Sequence, residues 1–227
     1  MSKVKETKFD LGDFTQSVVE GFDQPTQSQE EEQEESHNEI KDIERHDNFI
    51  MILPSNINER GCDLIIQQHM NLPFSEVEET DFMQYRPVDV KEGMSYKYEH
   101  ESGIDYSVIF DGTKEFKNII KVIEDIVPSH PDFDKINFMQ VAHYHEGSYF
   151  PSHKDIADSD DTATMMLLLN DDYRGGRITV NGNIIDNARG TMVCFNNSTL
   201  IWHGVDPILE GDRYVLLIWF GREDELD

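Results

Sequence analysis

The sequence between residues 137 and 220 is a series of short apolar runs: NFMQVAHY (137–144), TMMLLLN (164–170), RITV (177–180), TMVCF (191–195), TLIWH (199–203) and RYVLLIWF (213–220). Turn-forming residues separate these runs, among them Gly175-Gly176 and Asn181-Gly182-Asn183. Each run has the length of a strand, and regular turn signals between short strands are typical of a β-sandwich or barrel. This half of the chain therefore predicts an antiparallel double sheet of the jelly-roll type.

The chain ahead of these strands is predicted to contribute helices. The run NFIMILP (48–54) predicts a first strand, and residues 58–71 predict a helix. A second helix is predicted after Thr113, which caps it, with apolar residues at helical spacing as far as Val127 and a stop at Pro128. The predicted fold class is mainly β with N-terminal helices, in which helices flank a double-stranded β-helix (jelly-roll) core.

The N-terminal segment differs from the rest in composition. It reads QSQEEEQEES at 27–36, where repulsion between like charges and the lack of apolar side chains favour disorder. We predict an acidic, largely disordered tail over residues 1–47 and a folded jelly-roll domain over residues 48–227. Apolar residues between 9 and 22 recur near helical spacing. They leave two interpretations open, a short partner-binding helix and a segment that folds back on the core or stays loose.

The charge of the chain bears on its partners. The net charge is −27, and residues 48–227 hold 32 acidic against 14 basic residues with no basic stripe. These features argue against nucleic acid and anionic lipid as partners. No apolar run approaches the ~20 residues of a membrane helix, and no signal-peptide core is visible, so we expect a cytoplasmic protein. Cys62 and Cys194 lie in apolar stretches and are expected to be buried thiols.

Two histidines fit a metal site. His153 and Asp155 are two residues apart, so at a strand end both side chains point to the same side. His203 lies at the end of a later apolar run. Two histidines and one carboxylate on one face leave coordination positions open, which is the facial triad of non-haem Fe(II) oxygenases.

Other interpretations of these histidines stay open. His153 taken alone also fits an exposed loop histidine. A second H-x-D motif, at 130–132, is locked by its proline and predicts a turn. His143 and His145 flank Tyr144 at a strand end and are another candidate ligand pair. At least one of them is expected to be an ordinary, partly buried histidine.

Arg213 opens the last apolar run. A lone guanidinium is unfavourable to bury unless a carboxylate meets it, and its fork of N–H groups matches a carboxylate in a bidentate manner. Two interpretations are open. Arg213 forms a structural ion pair with one of the many acidic residues, or it binds the far end of a dicarboxylate co-substrate whose near end chelates iron.

Four runs, in this order, resemble one known family: QVAHYHEGSYFPSHKD, TATMMLLLNDDYRGGRITV, ARGTMVCFNN and WHGVDPILEGDRYVLLIWF. They resemble the prolyl 4-hydroxylase branch of the 2-oxoglutarate/Fe(II) dioxygenases over about residues 136–220, and more loosely over 48–135. The resemblance implies that His153, Asp155 and His203 are the iron ligands and that no other side chain is catalytic.

The resemblance also implies a co-substrate site. Arg213 is the expected partner of the distal carboxylate of 2-oxoglutarate, and Tyr144 matches the family tyrosine near the co-substrate. The family often has a further tyrosine where this chain has Leu168, and Thr164 is the candidate replacement for its hydroxyl. Trp219 matches a tryptophan beside the active site and is assigned to substrate binding.

The implied cofactors are Fe(II), the co-substrate 2-oxoglutarate and dioxygen, with L-ascorbate as a further candidate. The implied reaction hydroxylates a prolyl residue of a protein or peptide and releases succinate and carbon dioxide. The stretch 80–107, with Tyr85 and Arg86, lies where the family has a loop over the substrate, but it also fits a solvated loop. Two alternatives are a hydroxylase of a free amino acid or small molecule and a non-catalytic jelly-roll binding module.

Overall fold

The computed structural model describes residues 50–54, 57–80, 85–89, 91–123, 127, 135–154, 161–196 and 201–221. The predicted acidic tail and the predicted partner-binding helix within it lie outside these residues. Both stay predictions, and so does the domain boundary at residue 48.

The described chain contains two helices and fifteen strands. The helices are α1 (Glu59–Asn71) and α2 (Lys114–Ile123). The strands are β1 (Ile50–Pro54), β2 (Val77–Glu79), β3 (Tyr85–Pro87), β4 (Tyr96–His100), β5 (Ile104–Ile109), β6 (Lys135–Tyr144), β7 (Phe150–His153), β8 (Asp161–Leu168), β9 (Arg174–Gly175), β10 (Ile178–Val180), β11 (Asn183–Ile185), β12 (Thr191–Asn196), β13 (His203–Val205), β14 (Ile208–Glu210) and β15 (Arg213–Gly221). Among the described residues, neither helix has the length and apolar character needed to cross a membrane.

Side-chain caps begin both helices. The Oδ1 atom of Asn58 accepts a hydrogen bond from the backbone N–H of Gly61 at 3.0 Å, ahead of α1. The Oγ1 atom of Thr113 accepts one from the backbone N–H of Phe116 at 3.2 Å, ahead of α2. Each cap satisfies one of the amide groups that have no partner in the first turn of a helix.

Two antiparallel sheets make up the core, as predicted. The main sheet has seven strands in the order β1-β12-β8-β15-β6-β5-β4, and the minor sheet has four in the order β11-β10-β13-β7. One face of the main sheet packs against the minor sheet through Met166, Leu168, Val193, Val215, Ile178 and Val180. We call this face the inner face. The predicted fold class, a jelly-roll core flanked by helices, is confirmed.

The other face of the main sheet, here the helix face, packs against α1 and α2. Its apolar side chains meet those of the two helices in one cluster that includes Met165, Leu167, Leu216, Ile218, Cys62, Ile65, Ile119 and Ile123. Both cysteines are free and buried, and burial raises the pKa of the Cys194 thiol to about 12. Because side chains alternate along a strand, neighbouring residues of these strands face different compartments.

The tyrosine-rich stretch is strand rather than loop. β4 and β5 form a hairpin at the edge of the main sheet, and it buries Tyr96, Tyr98 and Tyr106. The interpretation of residues 80–107 as one loop is therefore wrong for this hairpin. The polar residues between the tyrosines made this stretch look like a loop in the sequence. Tyrosine nevertheless buries a large aromatic ring, so these strands can pack in the core.

The structure also corrects the position of His203. It is the first residue of β13 and not the last residue of a strand over 199–203. Its neighbour in the sheet, β7, was not predicted because its sequence FPSH has no apolar alternation. Pro151 lacks the amide hydrogen that a central strand needs, and β7 lies at the edge of the minor sheet, where proline is tolerated.

Candidate metal and co-substrate site

Two histidines that are fifty positions apart in sequence meet on the minor sheet. His153, at the end of β7, is the register partner of His203, at the start of β13, and their ring centroids are 4.2 Å apart. His203 is buried, and its ring centroid lies 4.8 Å from that of Phe195 on the inner face of the main sheet. Both imidazoles therefore belong to the space between the sheets. Asp155 lies outside the described residues, and its role as a ligand stays a prediction.

The ring of His153 is held by the backbone. Its Nδ1 atom lies 3.1 Å from the carbonyl oxygen of Pro151, a contact in which the ring nitrogen donates. Histidines that bind metals commonly donate their second ring N–H to a backbone carbonyl, because this bond fixes the tautomer and the ring orientation. The nitrogen with which His153 would bind a metal ion is therefore Nε2.

Arg213 is the largest polar group in the core. It is 1% exposed, and among the described residues its Nε, Nη1 and Nη2 atoms all have no hydrogen-bond partner. It lies opposite Tyr144 in the pairing of β15 with β6, and its guanidinium carbon is 4.9 Å from the ring centroid of Tyr144. A buried charge without a partner costs several kcal/mol. The pocket is therefore built for an anion that presents at least two acceptor atoms.

A tyrosine that the sequence did not single out lies beside Arg213. The hydroxyl of Tyr173 is buried and has no hydrogen-bond partner among the described residues. A Cβ atom added to Gly176 would lie 3.0 Å from Cδ of Arg213 and 3.2 Å from Cε2 of Tyr173, so the three residues are in close contact. Gly176 also has a φ of +61°, which favours glycine. Gly176 was predicted only to permit a turn, and it also leaves the space in which Arg213 and Tyr173 approach each other.

Both tyrosines near the guanidinium keep their phenolic protons at neutral pH. Burial raises the pKa of Tyr144 and of Tyr173, and the positive charge of Arg213 offsets part of each rise. A neutral phenol donates a hydrogen bond to a carboxylate, and the guanidinium supplies the opposite charge. This corner of the inner face therefore combines a charge with nearby neutral donors.

Thr164 and Trp219 lie at the other end of the inner face. Thr164 is the register partner of Trp219 on β15 and of Phe195 on β12, and the ring of Phe195 contacts His203. Thr164 is four residues from Leu168, or about 13 Å along the strand. Thr164 and Trp219 thus belong to the metal end, and this placement does not support Thr164 as the partner of the distal carboxylate.

Tyr85 and Arg86 lie on β3, outside both main sheets. Arg86 is exposed, whereas Tyr85 is half-buried and stacks on Tyr98 with ring centroids 5.2 Å apart. Tyr85 joins an aromatic cluster that extends to the arginine pocket and includes Tyr96, Tyr98, Tyr106, Tyr144, Phe150 and Tyr173. A ligand at Tyr85 would therefore lie at the rim of the same cluster that contacts Arg213.

A second group of possible metal ligands lies elsewhere. One ligand atom from each of Asp105, His143 and His145 falls within 4.8 Å of the others. His143 directly precedes Tyr144 on β6, so the two side chains point to opposite faces of the sheet. The Asp105 group therefore lies across the main sheet from Arg213 and cannot hold an ion that also contacts the ligand of that arginine.

Comparison with known proteins agrees with this geometry. Residues 139–221 match the model of the 2OG-Fe(II) oxygenase superfamily. The viral collagen prolyl hydroxylase of Paramecium bursaria Chlorella virus-1, solved as a 2OG complex, is 18% identical with a TM-score of 0.52, covering 77% of this chain and 96% of its own. A Trichoplax adhaerens prolyl hydroxylase, solved with a peptide fragment of the hypoxia inducible factor oxygen degradation domain, is 16% identical with a TM-score of 0.53, covering 75% and 83%. No curated protein sequence matches the chain.

The sequence identity of this chain to these two structures is low, so the likeness establishes the fold alone. The superfamily match covers the strands that carry both histidines and Arg213. Both findings agree with the resemblance found in the sequence. Residues 139–221 thus match the 2OG-Fe(II) oxygenase superfamily, and the described chain has a prolyl 4-hydroxylase-like fold.

Proposed function

We propose that this protein binds Fe(II) through His153, Asp155 and His203, binds 2-oxoglutarate through Arg213, and hydroxylates a prolyl residue of a protein or peptide. The observation that carries the co-substrate assignment is the buried guanidinium of Arg213, whose three nitrogens have no partner among the described residues. It faces the same compartment as the paired histidines. A dicarboxylate can bind Arg213 with one carboxylate and an ion at the histidines with the other. A structural ion pair would instead require a protein carboxylate beside Arg213.

The residues fit the iron that the family implies. Two imidazoles and one carboxylate are the donor set of non-haem Fe(II) sites and leave positions for other ligands. When bound, this iron supplies the chemistry that converts dioxygen and 2-oxoglutarate to succinate and carbon dioxide while a substrate C–H bond becomes C–OH.

The chain itself supplies binding, orientation and exclusion of water. The fork of Arg213 orients the distal carboxylate, and the neutral hydroxyl of Tyr173 donates to the same group. Phe195, Leu168 and Val215 line the inner face and are fully buried, so they keep bulk water away from the reacting atoms. L-ascorbate as a further cofactor and the cytoplasm as the compartment stay predictions.

The polypeptide substrate is supported by fold and by surface. Both structures compared above are prolyl hydroxylases by title, and one was solved with a peptide. In this chain Tyr85 is half-buried beside exposed Arg86, at the edge of the aromatic cluster. A flat aromatic ring next to a long polar side chain suits a peptide backbone. The net charge of −27 favours a neutral or basic peptide by electrostatic steering.

The function is tested by product analysis. Iron-loaded protein is incubated with 2-oxoglutarate and with proline-containing peptides of matched length, one set basic and one acidic. We expect succinate to form faster with the basic set, and mass spectrometry to find one added oxygen on proline. The His203→Ala protein is the control and should yield neither product.

The two alternative functions predict other outcomes. A hydroxylase of small molecules would add oxygen to free L-proline or another amino acid and leave every peptide unchanged. A non-catalytic binding module would form no succinate with any substrate, even though it binds 2-oxoglutarate. Either result would contradict the proposed reaction.

A substitution at Tyr173 tests whether its hydroxyl helps to bind 2-oxoglutarate, a role that the sequence did not predict. Tyr173→Phe removes one hydroxyl and keeps the ring, so it should weaken 2-oxoglutarate binding by about 10-fold or more, because a hydrogen bond to a charged group contributes about 1.5–3 kcal/mol. Thr164→Val is the matched control and should change this affinity by less than about 2-fold. Titration of the iron-loaded proteins with 2-oxoglutarate measures both. A larger effect of Thr164→Val than of Tyr173→Phe would show that the carboxylate lies at the other end of the inner face.

A further inference from the structure

A cluster of donor atoms lies on the helix face, across the main sheet from the proposed iron site. It consists of Asp105 on β5, His143 on β6, His145 just after β6 and Asp212 just before β15. His143 Nε2 is 2.9 Å from Asp212 Oδ1, and His145 Nε2 is 2.9 Å from Asp105 Oδ2. His145 Nδ1 is 3.3 Å from Asp212 Oδ1, and the two imidazole centroids are 4.0 Å apart. Asp105 thus faces one nitrogen of each imidazole, and Asp212 faces the other nitrogen of each.

Hydrogen bonds alone leave this cluster incomplete. His143 Nδ1 is buried and has no hydrogen-bond partner among the described residues. It faces Asp105 Oδ2 at 3.8 Å, which is longer than a hydrogen bond. Two atoms that bind one ion at about 2.0–2.2 Å in tetrahedral geometry are roughly 3.4 Å apart. The spacing therefore suits two ligands of one ion better than a donor and its acceptor.

The geometry points to a second metal site, in which Asp105 Oδ2, His143 Nδ1 and His145 Nε2 bind a divalent transition-metal ion of the zinc class. Asp212 accepts hydrogen bonds from the other nitrogen of each ring and orients both imidazoles. Neutral imidazole and carboxylate are ligands that Zn²⁺ and its neighbours in the first transition series accept. The side chains of Asp105 and His143 are 9% and 7% exposed, whereas those of His145 and Asp212 are 44% and 52% exposed. The site is thus anchored in the sheet on one side and open to an incoming ion on the other.

The position of this cluster gives it a structural consequence. His143 directly precedes Tyr144, and Asp212 directly precedes Arg213. An ion on the helix face would fix the backbone of β6 and β15 at the point where their next residues enter the arginine pocket. The inference does not rest on the proposed reaction, because no ligand of the second site points to the inner face.

Metal titration tests the site without any measurement of activity. Chelator-treated full-length protein is titrated with Zn²⁺ by calorimetry, and Co²⁺ is added in parallel to record its visible absorption bands. We expect two bound equivalents for the unmodified protein. His145→Ala should lose one equivalent, and Asp212→Asn should weaken that equivalent by at least about 10-fold. Both residues are half-exposed at the side chain, so these variants should fold.

Matched controls identify the lost equivalent. His100→Ala removes a half-buried histidine outside both sites and should retain two equivalents. His203→Ala should retain one equivalent, and His203→Ala combined with His145→Ala should retain none. The second site is refuted if the His203→Ala protein binds no Zn²⁺, or if its remaining equivalent survives His145→Ala with unchanged affinity.

Discussion

Fe(II) binding is expected to weaken by more than about 100-fold when His203 is replaced by alanine, because loss of a direct ligand should exceed the 10- to 100-fold effect of losing an outer partner. The remaining His153 and the proposed ligand Asp155 make a weak two-point site. Anaerobic titration with Fe(II), or with Mn(II) as its redox-stable substitute, measures the change. Using the His145→Ala background removes any contribution of the second site proposed above.

A variant of the second histidine ligand distinguishes loss of the metal from loss of the fold. His203 is buried, so its removal leaves a cavity, whereas His153 is half-buried and its replacement by alanine costs less packing. Both variants should lose the metal and retain a cooperative unfolding transition. His100→Ala, in the same background, should bind the ion normally. If both His153→Ala and His203→Ala bind Mn(II) with wild-type affinity, the assignment of the iron ligands is wrong.

The affinity for 2-oxoglutarate is expected to fall by about 10- to 150-fold in Arg213→Met, since a charge-assisted hydrogen bond contributes about 1.5–3 kcal/mol. Part of the affinity should remain, because Tyr173 still donates one hydrogen bond to the carboxylate. Arg213→Lys keeps the charge and loses the fork, so its affinity should lie between those of the wild type and Arg213→Met. Titration of the iron-loaded proteins, followed by the metal-to-ligand absorption band, gives the dissociation constants.

The stability of the ligand-free protein gives an independent readout at Arg213. Removing one partner of a buried ion pair destabilises a protein by about 3–5 kcal/mol, whereas replacing an unpaired buried charge by an apolar side chain is neutral or stabilising. Arg213→Met should therefore unfold at the same denaturant concentration as the wild type, or at a higher one. Arg174→Met, at an exposed ion pair with Glu210, is the control for both measurements. Lower stability with unchanged 2-oxoglutarate affinity would make Arg213 a structural ion-pair residue.

The sequence by itself determined the elements whose signals are local. Apolar runs between turn residues predicted the main-sheet strands β6, β8, β12 and β15, and the cap residue Thr113 predicted the start of α2. The order of the motifs, from His153 through Arg213, was enough to predict the superfamily. Two histidines, an aspartate and a later arginine in this order match one kind of site, for Fe(II) and 2-oxoglutarate. Burial of Cys62 and Cys194 followed from their apolar neighbours.

The tertiary structure decided what depends on register. β7 has no apolar alternation of its own, and only its pairing with β13 shows that His153 lies beside His203. Tyr173 sits in a turn, and only the close contact around Gly176 shows that its hydroxyl lies near the guanidinium. Local patterns carry no information on such contacts, since they join segments far apart in the chain.

The two-residue period of a strand explains the last difference between sequence and structure. The sequence places His143 next to Tyr144 and Asp212 next to Arg213, so positions along the chain do not separate the two groups. In the sheet these neighbours point to opposite faces. Each side chain therefore contacts residues on the adjacent strands instead of its neighbour in sequence. The amino-acid sequence therefore specified which side chains are available for chemistry, and the pairing of the strands assigned them to two separate compartments.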